Sequence, residues 1–147
     1  MPDIQSSIVV SKSVLDTFAF LNNAGNHERF IPNMIEFKQT TSGSFGRVGT
    51  KAEGILSIAG IKLPVDYEMI EHIPNNNIAM KGTLGPITFE DGYLLEQVED
   101  KTRIKFWLKL EFKGASRLLK PFAGIIGKIH AGETLRNLKK VLEYTGT

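Results

Sequence analysis

The hydrophobic residues of this chain change their period once, and that change limits the folds that the sequence can form. From Ile35 to Phe112 apolar and polar residues alternate, as in strands with one face toward a core and the other toward water. After Gly114 the apolar residues recur at the spacing of a helix as far as Leu142. The sequence therefore predicts an antiparallel meander followed by one long helix.

One strand and two short helices are predicted before the meander. The alternating residues 4–10 predict the first strand. Ser13, followed by Asp16 three residues later, is typical of a helix N-terminus, and apolar residues follow at helical spacing. A second helical turn is predicted over residues 27–31, because Pro32 disfavours helical geometry in the residue before it.

Turn residues divide the meander into strands. Ala59-Gly60 and Gly85-Pro86 predict two hairpin turns, and the segment 99–101 predicts a third. We therefore expect an α+β helix-grip fold, in which a curved antiparallel sheet of about seven strands wraps around the long C-terminal helix. The helix is predicted to bury one apolar stripe: Leu118, Phe122, Ile125, Ile129, Leu135, Leu138 and Leu142.

Composition narrows the class of protein. The chain has 147 residues, of which 41% are hydrophobic, so we expect one domain over residues 1–147 with one sizeable core. The absence of cysteine excludes disulfides, thiolate nucleophiles and cysteine-ligated metals. No apolar run approaches the roughly 18 to 20 residues of a transmembrane helix, and the opening residues do not have the pattern of a signal peptide. A cytoplasmic location is therefore expected.

Charge is distributed unevenly along the chain. Residues 1–100 hold 7 Lys and Arg against 13 Asp and Glu, net −6, whereas residues 101–147 hold 11 against 3, net +8. A basic end can face nucleic acid or anionic lipid, but solvated faces of a helix and a strand give the same count. No interleaved aromatic and basic motif is present, so no nucleic-acid partner is expected. Contact with an anionic membrane surface and formation of a homodimer both stay open.

Two motifs that resemble ligand sites have simpler explanations. The glycine-rich residues 43–50 lie between strands and end in Gly-Thr followed by Lys, whereas a P-loop requires Gly-Lys-Ser/Thr, so a tight hairpin is predicted. His27, His72 and His130 fall in separate elements, and no metal or other cofactor is expected. His130 and Glu133 lie three residues apart on the helix and are interpreted as a solvated pair, with an inward-facing acid-base pair as the alternative.

Asp91 is the candidate polar group of a buried site. Alternation places it on the concave face of the sheet with Phe89 and Tyr93, where a carboxylate without a partner is costly. Asp91, Tyr67 and Tyr93 are therefore candidate polar anchors and candidate catalytic acids or bases. A one-residue bulge that turns Asp91 outward fits the sequence equally well.

Glycines are unexpectedly frequent in the predicted helix. Gly124, Gly127 and Gly132 each cost roughly 1 kcal/mol relative to alanine. The missing side chains favour a space for a ligand, while close packing on the sheet or a kink after Pro121 is the alternative. Trp107 is predicted on the outward face of its strand, covered by neighbouring lysine side chains, with a membrane interface or a partner surface as the alternative.

The order of these features resembles the START-like helix-grip superfamily, the SRPBCC group of polyketide cyclase/dehydrase-like proteins, pollen allergens and lipid-transfer domains. The resemblance spans nearly the whole chain. It rests on residues 13–18 (SVLDTF) after the first strand, the turn ending at Pro32, the segment 43–50 (GSFGRVGT) and residues 135–139 (LRNLK). It implies a hydrophobic cavity under the long helix, used in different members for lipids, sterols, quinones, hormones or polyketides and in a minority for catalysis.

These observations predict a protein that binds or carries an apolar small molecule between the sheet and the helix. A polyketide cyclase/dehydratase-like enzyme that uses Asp91 with Tyr67 or Tyr93 for proton transfer is one alternative. A peripheral membrane or protein-interaction module is another. The predicted cavity residues are Leu56, Leu63, Val65, Tyr67, Met69, Met80, Phe89, Asp91, Tyr93, Phe106, Leu108, Phe122 and Ile126.

Overall fold

A computed structural model describes residues 4–43 and 45–144 of the chain. The strands are β1 Ile4–Val10, β2 Met34–Gln39, β3 Lys51–Ile58, β4 Ile61–Ile73, β5 Asn77–Leu84, β6 Ile87–Val98 and β7 Lys101–Phe112. The α-helices are α1 Val14–Leu21, α2 Ala24–His27 and α3 Ala123–Tyr144, and a 3-10 helix, Gly114–Phe122, leads into α3. The strands form one antiparallel sheet in the order β1-β7-β6-β5-β4-β3-β2. The predicted helix-grip architecture is confirmed.

Side-chain caps determine where the two short helices begin. The Ser13 hydroxyl accepts a hydrogen bond of 3.0 Å from the backbone N–H of Asp16, as predicted for the start of α1. Helix α2 begins earlier than the predicted turn over residues 27–31, because the Asn23 side chain accepts a hydrogen bond from the N–H of Gly25 at 3.0 Å. The chain then reaches β2 through turns.

Residues with positive φ form the hairpin turns that the sequence predicts. Ala59 and Gly60 have φ values of 52° and 80°, Gly85 has 58° and Glu99 has 57°. These values lie in the left-handed region that tight turns use and that glycine adopts without steric cost. These three turns are confirmed, and they join β3 to β4, β5 to β6 and β6 to β7. The tight hairpin predicted at residues 43–50 is wrong, because β2 ends at Gln39 and β3 begins only at Lys51.

His27 is the centre of an aromatic cluster that joins α2 to the sheet. Its ring is 2% exposed and stacks on Phe37 with 4.9 Å between the ring centroids. The rings of Phe30 and Phe45 lie 5.2 and 5.4 Å away. The Nε2–H donates to the carbonyl oxygen of Leu21 at 2.8 Å, and burial lowers the pKa of His27 to about 4. The imidazole is therefore a neutral structural group.

The C-terminal segment packs on the sheet through a different face from the predicted one. Of the predicted stripe, the second half is buried, namely Leu135, Leu138 and Leu142. The first half is wrong, because Leu118, Phe122, Ile125 and Ile129 are 80%, 55%, 66% and 56% exposed. No helix within residues 4–43 and 45–144 has an apolar stretch long enough to span a membrane.

Gly127 explains why the large apolar residues turn outward. A Cβ atom at this position would lie 2.0 Å from the Cδ1 of Ile4 on β1. The helix approaches the sheet too closely for a large side chain, and Gly127 and Ala131 are buried at the contact. The alternative of close packing therefore applies to this glycine, which also lines the space between the helix and the sheet. Gly124 has no atom within 4 Å of a built Cβ, and Gly132 meets only the Arg136 side chain.

Trp107 packs on the outer face of the sheet. A Cβ atom at Gly92, its neighbour across β6 and β7, would lie 2.7 Å from the indole Nε1. The indole therefore covers a glycine that has no side chain of its own, and it is half-buried. This contact explains the tryptophan without a membrane or partner surface.

Candidate functional site

A cavity of about 250 Å³ lies between the sheet and the start of the C-terminal helical segment. Strands β3 to β7 form most of its wall, and the 3-10 helix, α3 and Ile31, which precedes β2, form the remainder. The wall is apolar apart from one carboxyl group, two phenols and one imidazole. The lining residues are Ile31, Leu56, Ile58, Val65, Tyr67, Leu84, Ile87, Phe89, Asp91, Tyr93, Phe106, Leu108, Leu110, Phe112, Leu119, Ala123, Ile126, Gly127 and His130.

Most of the residues predicted for this cavity lie in its wall. These are Leu56, Val65, Tyr67, Phe89, Asp91, Tyr93, Phe106, Leu108 and Ile126. They come from strands whose inward positions follow the period-two pattern, with Ile126 from α3. The structure therefore brings together the three candidate catalytic residues and the main part of the predicted apolar wall.

Four predicted residues do not line the cavity. Met69 and Met80 lie opposite each other on β4 and β5. They are 0% and 4% exposed, because other protein atoms cover nearly their whole surface. Leu63 is half-buried beside Leu56 and lies outside the wall. Phe122 ends a 3-10 segment, whose residues turn by a larger angle than those of an α-helix, and its ring faces outward.

Some residues of the cavity wall were not predicted from the sequence. Ile58 continues the alternation of β3, and Leu110 and Phe112 continue that of β7, so a stricter use of period two would include them. Ala123 and Gly127 lie four residues apart and share one side of α3. The sequence pattern did not indicate this side of the helix, because alanine and glycine add little to an apolar stripe. The larger apolar residues beside them gave the stronger pattern.

Asp91 faces the cavity. It pairs with Met80 of β5 on one side and with Leu108 of β7 on the other, and the register is continuous across both pairs of strands. The bulge that would turn Asp91 outward is therefore absent from β6. Burial in the apolar wall, with no compensating hydrogen bond or cation among the residues that the structure describes, raises the pKa of Asp91 to about 7.

Tyr67 and Tyr93 are the other polar groups on the sheet side of the cavity. They are 8% and 5% exposed, and their rings contact Phe89 and Phe106 with centroid distances of 5.4 and 5.1 Å. Burial, and then the negative charge of Asp91, raise the pKa of both phenols above the ordinary value. Both hydroxyls therefore stay protonated at neutral pH and can donate hydrogen bonds.

His130 belongs to the cavity wall, which corrects its interpretation as half of a solvated pair with Glu133. Its ring lies 6.2 Å from that of Phe106, between centroids. Burial lowers the pKa of His130, although the charge of Glu133 opposes this effect. The reason for the correction is the close approach at Gly127, which turns this side of α3 toward the sheet.

The cavity combines an apolar wall with a few groups that can exchange a proton. Asp91 titrates near neutral pH, and the phenols and His130 stay neutral there. In the described ranges, no three His, Cys, Asp or Glu side chains lie together as a metal site would require. The arrangement suits an apolar molecule with one polar end.

Comparison with known proteins identifies the fold. No protein-family model and no curated protein matches the sequence. A solved structure from Thermus thermophilus, the protein TTHA0849, is 12% identical with a TM-score of 0.80, and the match covers 98% of this chain and 99% of that chain. A START superfamily protein from Mycobacterium smegmatis is 19% identical, with a TM-score of 0.71 and coverages of 97% and 94%.

An enzyme is among the similar structures. Zhui aromatase/cyclase from Streptomyces sp. R1128 is 10% identical, with a TM-score of 0.71, and the match covers 95% of this chain and 92% of that chain. At such identities the likeness is one of fold and does not extend to activity. The chain therefore shares its helix-grip fold with these proteins.

Proposed function

We propose that this protein binds or carries an apolar small molecule in the cavity between the sheet and the C-terminal segment. The observation that carries the proposal is a space of about 250 Å³ with an apolar wall around a single carboxyl group. Protein interiors are normally packed as densely as organic crystals, and an empty cavity lowers stability. A space of this size beside Asp91 is therefore best explained by a ligand. The shared fold with a START superfamily protein supports the same proposal.

The wall chemistry favours a ligand with one polar end. Asp91 can donate a hydrogen bond when protonated and can accept one from a hydroxyl or an amine when ionised. Tyr67 and Tyr93 offer further donors on the same side. The ligand should be smaller than a typical drug, because drug-sized ligands occupy pockets of about 300–1,000 Å³. Affinity would come mainly from buried apolar area, at about 25 cal/mol per Å² before ordering costs.

Binding of 2-naphthol, a two-ring apolar compound with one hydroxyl, tests this proposal. In Ala123→Phe a ring replaces a methyl group in the wall, and we expect binding to weaken at least about tenfold because the space is filled. Ala19→Phe adds the same ring at an exposed position of α1 and should leave the affinity unchanged. Isothermal titration calorimetry measures the dissociation constants, and circular dichroism verifies folding. Equal affinity in the two variants would exclude the cavity as the site.

The natural ligand needs a separate measurement. Native mass spectrometry of the protein purified from its own host should detect a bound apolar compound. Release of that compound under denaturing conditions then gives its mass. Its loss in Ala123→Phe, but not in Ala19→Phe, would assign it to the cavity.

A second candidate function is proton-transfer catalysis on a polyketide-like or lipid-like substrate. Asp91 favours it, because a pKa of about 7 in an apolar cavity suits a general acid or base at neutral pH. The neutral phenols of Tyr67 and Tyr93 could stabilise an enolate oxygen by hydrogen bonding. A carrier would keep most of its affinity when Asp91 is replaced, whereas an enzyme would lose turnover.

Exchange of the α-protons of 2-tetralone in D₂O tests this second function. As a base, Asp91 would take a proton from the α-carbon, and the enolate would then take a deuteron from the exchanged carboxyl group. We expect Asp91→Asn to bind the ketone but to slow the catalysed exchange by about a hundredfold or more. Proton NMR follows the loss of the α-C–H signal. Equal exchange rates in the wild type and in Asp91→Asn would rule out Asp91 as the base.

A further inference from the structure

The outward side of residues 113–129 is an apolar surface without a partner among the described residues. Its large residues are Leu118, Phe122, Ile125 and Ile129, and each is more than half exposed. Ile125 and Ile129 lie four residues apart and form one side of α3. We name the exposed apolar and basic residues of this segment the portal face. Contiguous exposed apolar side chains mark sites of interaction with a protein or a membrane.

The portal face is also basic. The sequence from Phe112 to Gly132 contains Lys113, Arg117, Lys120 and Lys128 and no Asp or Glu. All four basic side chains are exposed. Lys113 lies 3.9 Å from the Glu111 carboxylate, and the other three form no ion pair within the part of the chain that the structure describes. The surface therefore combines uncovered apolar side chains with uncompensated positive charge.

This combination identifies the partner by its chemistry. A second copy of the chain would bring two positively charged faces together, which is unfavourable. An anionic phospholipid bilayer supplies phosphates for the basic side chains and an apolar layer for Phe122 and the isoleucines. Helices with this distribution of charged and apolar residues lie in the bilayer interface. We propose that the portal face docks on anionic phospholipid membranes.

The position of this face links docking to the cavity. Leu119, Ala123 and Ile126 line the cavity, and they alternate along the segment with the outward-facing Leu118, Phe122 and Ile125. Docking would bring this part of the cavity wall to the membrane surface, so an apolar ligand could pass between the two with little exposure to water. This consequence rests on the proposed function, but docking itself does not.

Cosedimentation of the full chain with vesicles tests the proposal. We expect binding to vesicles that contain phosphatidylglycerol and much weaker binding to pure phosphatidylcholine. Binding should fall steeply as salt rises from about 0.05 to about 0.5 M, because ions screen the attraction. A wild-type protein that does not bind phosphatidylglycerol vesicles at low salt overturns the proposal.

Matched variants separate the portal face from the rest of the surface. In Lys120→Glu/Lys128→Glu we expect at least about 25-fold weaker partitioning, from about fivefold for each basic residue. Lys101→Glu/Lys140→Glu makes the same change in charge at exposed positions outside the portal face and should have a much smaller effect. Equal losses in the two variants would mean that net charge, rather than this face, determines binding.

The apolar half of the face is tested in the same way. Ile125→Ser/Ile129→Ser should weaken vesicle binding at least about tenfold, whereas Leu15→Ser/Ile73→Ser, at positions 64% and 47% exposed, should not. The portal variant should still bind 2-naphthol, which separates failure of docking from failure of the cavity. A dimer that only the portal variant abolishes, without vesicle binding by the wild type, would instead identify a second copy as the partner.

Discussion

Asp91→Asn should raise the free energy of unfolding by about 4 kcal/mol more at pH 8 than at pH 4. Burial raises the pKa of Asp91 from 3.8 to about 7 in the folded protein. Below pH 3.8 Asp91 is protonated in both the folded and the unfolded protein. Between pH 3.8 and about pH 7 the unfolded chain releases the proton, while the folded protein keeps it. The wild type therefore loses stability as pH rises toward 7. One pKa unit corresponds to 1.36 kcal/mol, and asparagine removes the loss because it does not ionise.

Urea unfolding of the wild type and Asp91→Asn at pH 4 and pH 8 measures this effect as a difference of differences. Changes in packing are the same at both pH values and cancel. Asp100→Asn, in the exposed turn before β7, reports the general effect of removing one carboxylate. If the free energy change caused by Asp91→Asn is the same at both pH values, Asp91 does not face an enclosed apolar cavity.

His27→Ala should lower the free energy of unfolding by about 3 to 5 kcal/mol. The substitution removes a fully buried ring that contacts Phe30, Phe37 and Phe45, and loss of such a ring typically has this cost. It also leaves the carbonyl oxygen of Leu21 without its donor. Urea unfolding at pH 7 provides the value.

Two further variants divide that loss into its causes. His27→Phe keeps a ring but removes the donor, and we expect a cost of about 1 to 3 kcal/mol for the unpaired carbonyl group. His72→Ala is the matched control, because His72 is only half-buried and bonds to the Asn22 side chain at 2.8 Å. A loss in His72→Ala as large as in His27→Ala would contradict the central place of His27 in the aromatic cluster.

His27 and Asp91 act in opposite directions between about pH 4 and pH 7. The pKa of His27 is lowered from 6.5 to about 4, so its contribution is present above pH 6.5 and is lost as pH falls toward 4. The contribution of Asp91 is lost as pH rises over nearly the same range. In Asp91→Asn the effect of His27 is no longer opposed, and stability should rise with pH there.

The sheet was predictable because its signals are local. Alternation marks each strand of the meander, and Ala59-Gly60 and Gly85-Pro86 mark turns whose geometry depends on their own residues. The same alternation predicts Asp91 on the face of Tyr67 and Tyr93, but a one-residue bulge in β6 would turn it outward, and the sequence does not distinguish the two. The register is continuous across β5, β6 and β7, so Asp91 and Tyr93 lie on the same face of the sheet, toward the cavity.

The face of the C-terminal segment was not predictable in the same way. Leu118, Phe122, Ile125 and Ile129 have the spacing of a buried stripe, and sequence alone gives no reason to expose them. The determining contact joins Gly127 to Ile4, at the opposite end of the sequence. Alternation likewise gives the direction of Met69 and Met80 but not their depth, which depends on the surrounding packing. Both the face of the helix and the depth of the methionines depend on contacts between residues far apart in the sequence, which local patterns do not predict.

The pairing of the first strand with the last has a consequence for how the chain reaches its native state. Ile4 pairs with Leu108 and Val10 with Thr102, so about a hundred residues must be synthesised before β1 finds its neighbour. The Lys139 ammonium group then donates to the carbonyl oxygen of Val9 at 2.9 Å, and this contact forms later still. During synthesis on the ribosome, β1 has no strand to pair with until β7 has emerged. Because this pairing joins distant parts of the sequence, folding should be slow for a chain of this length.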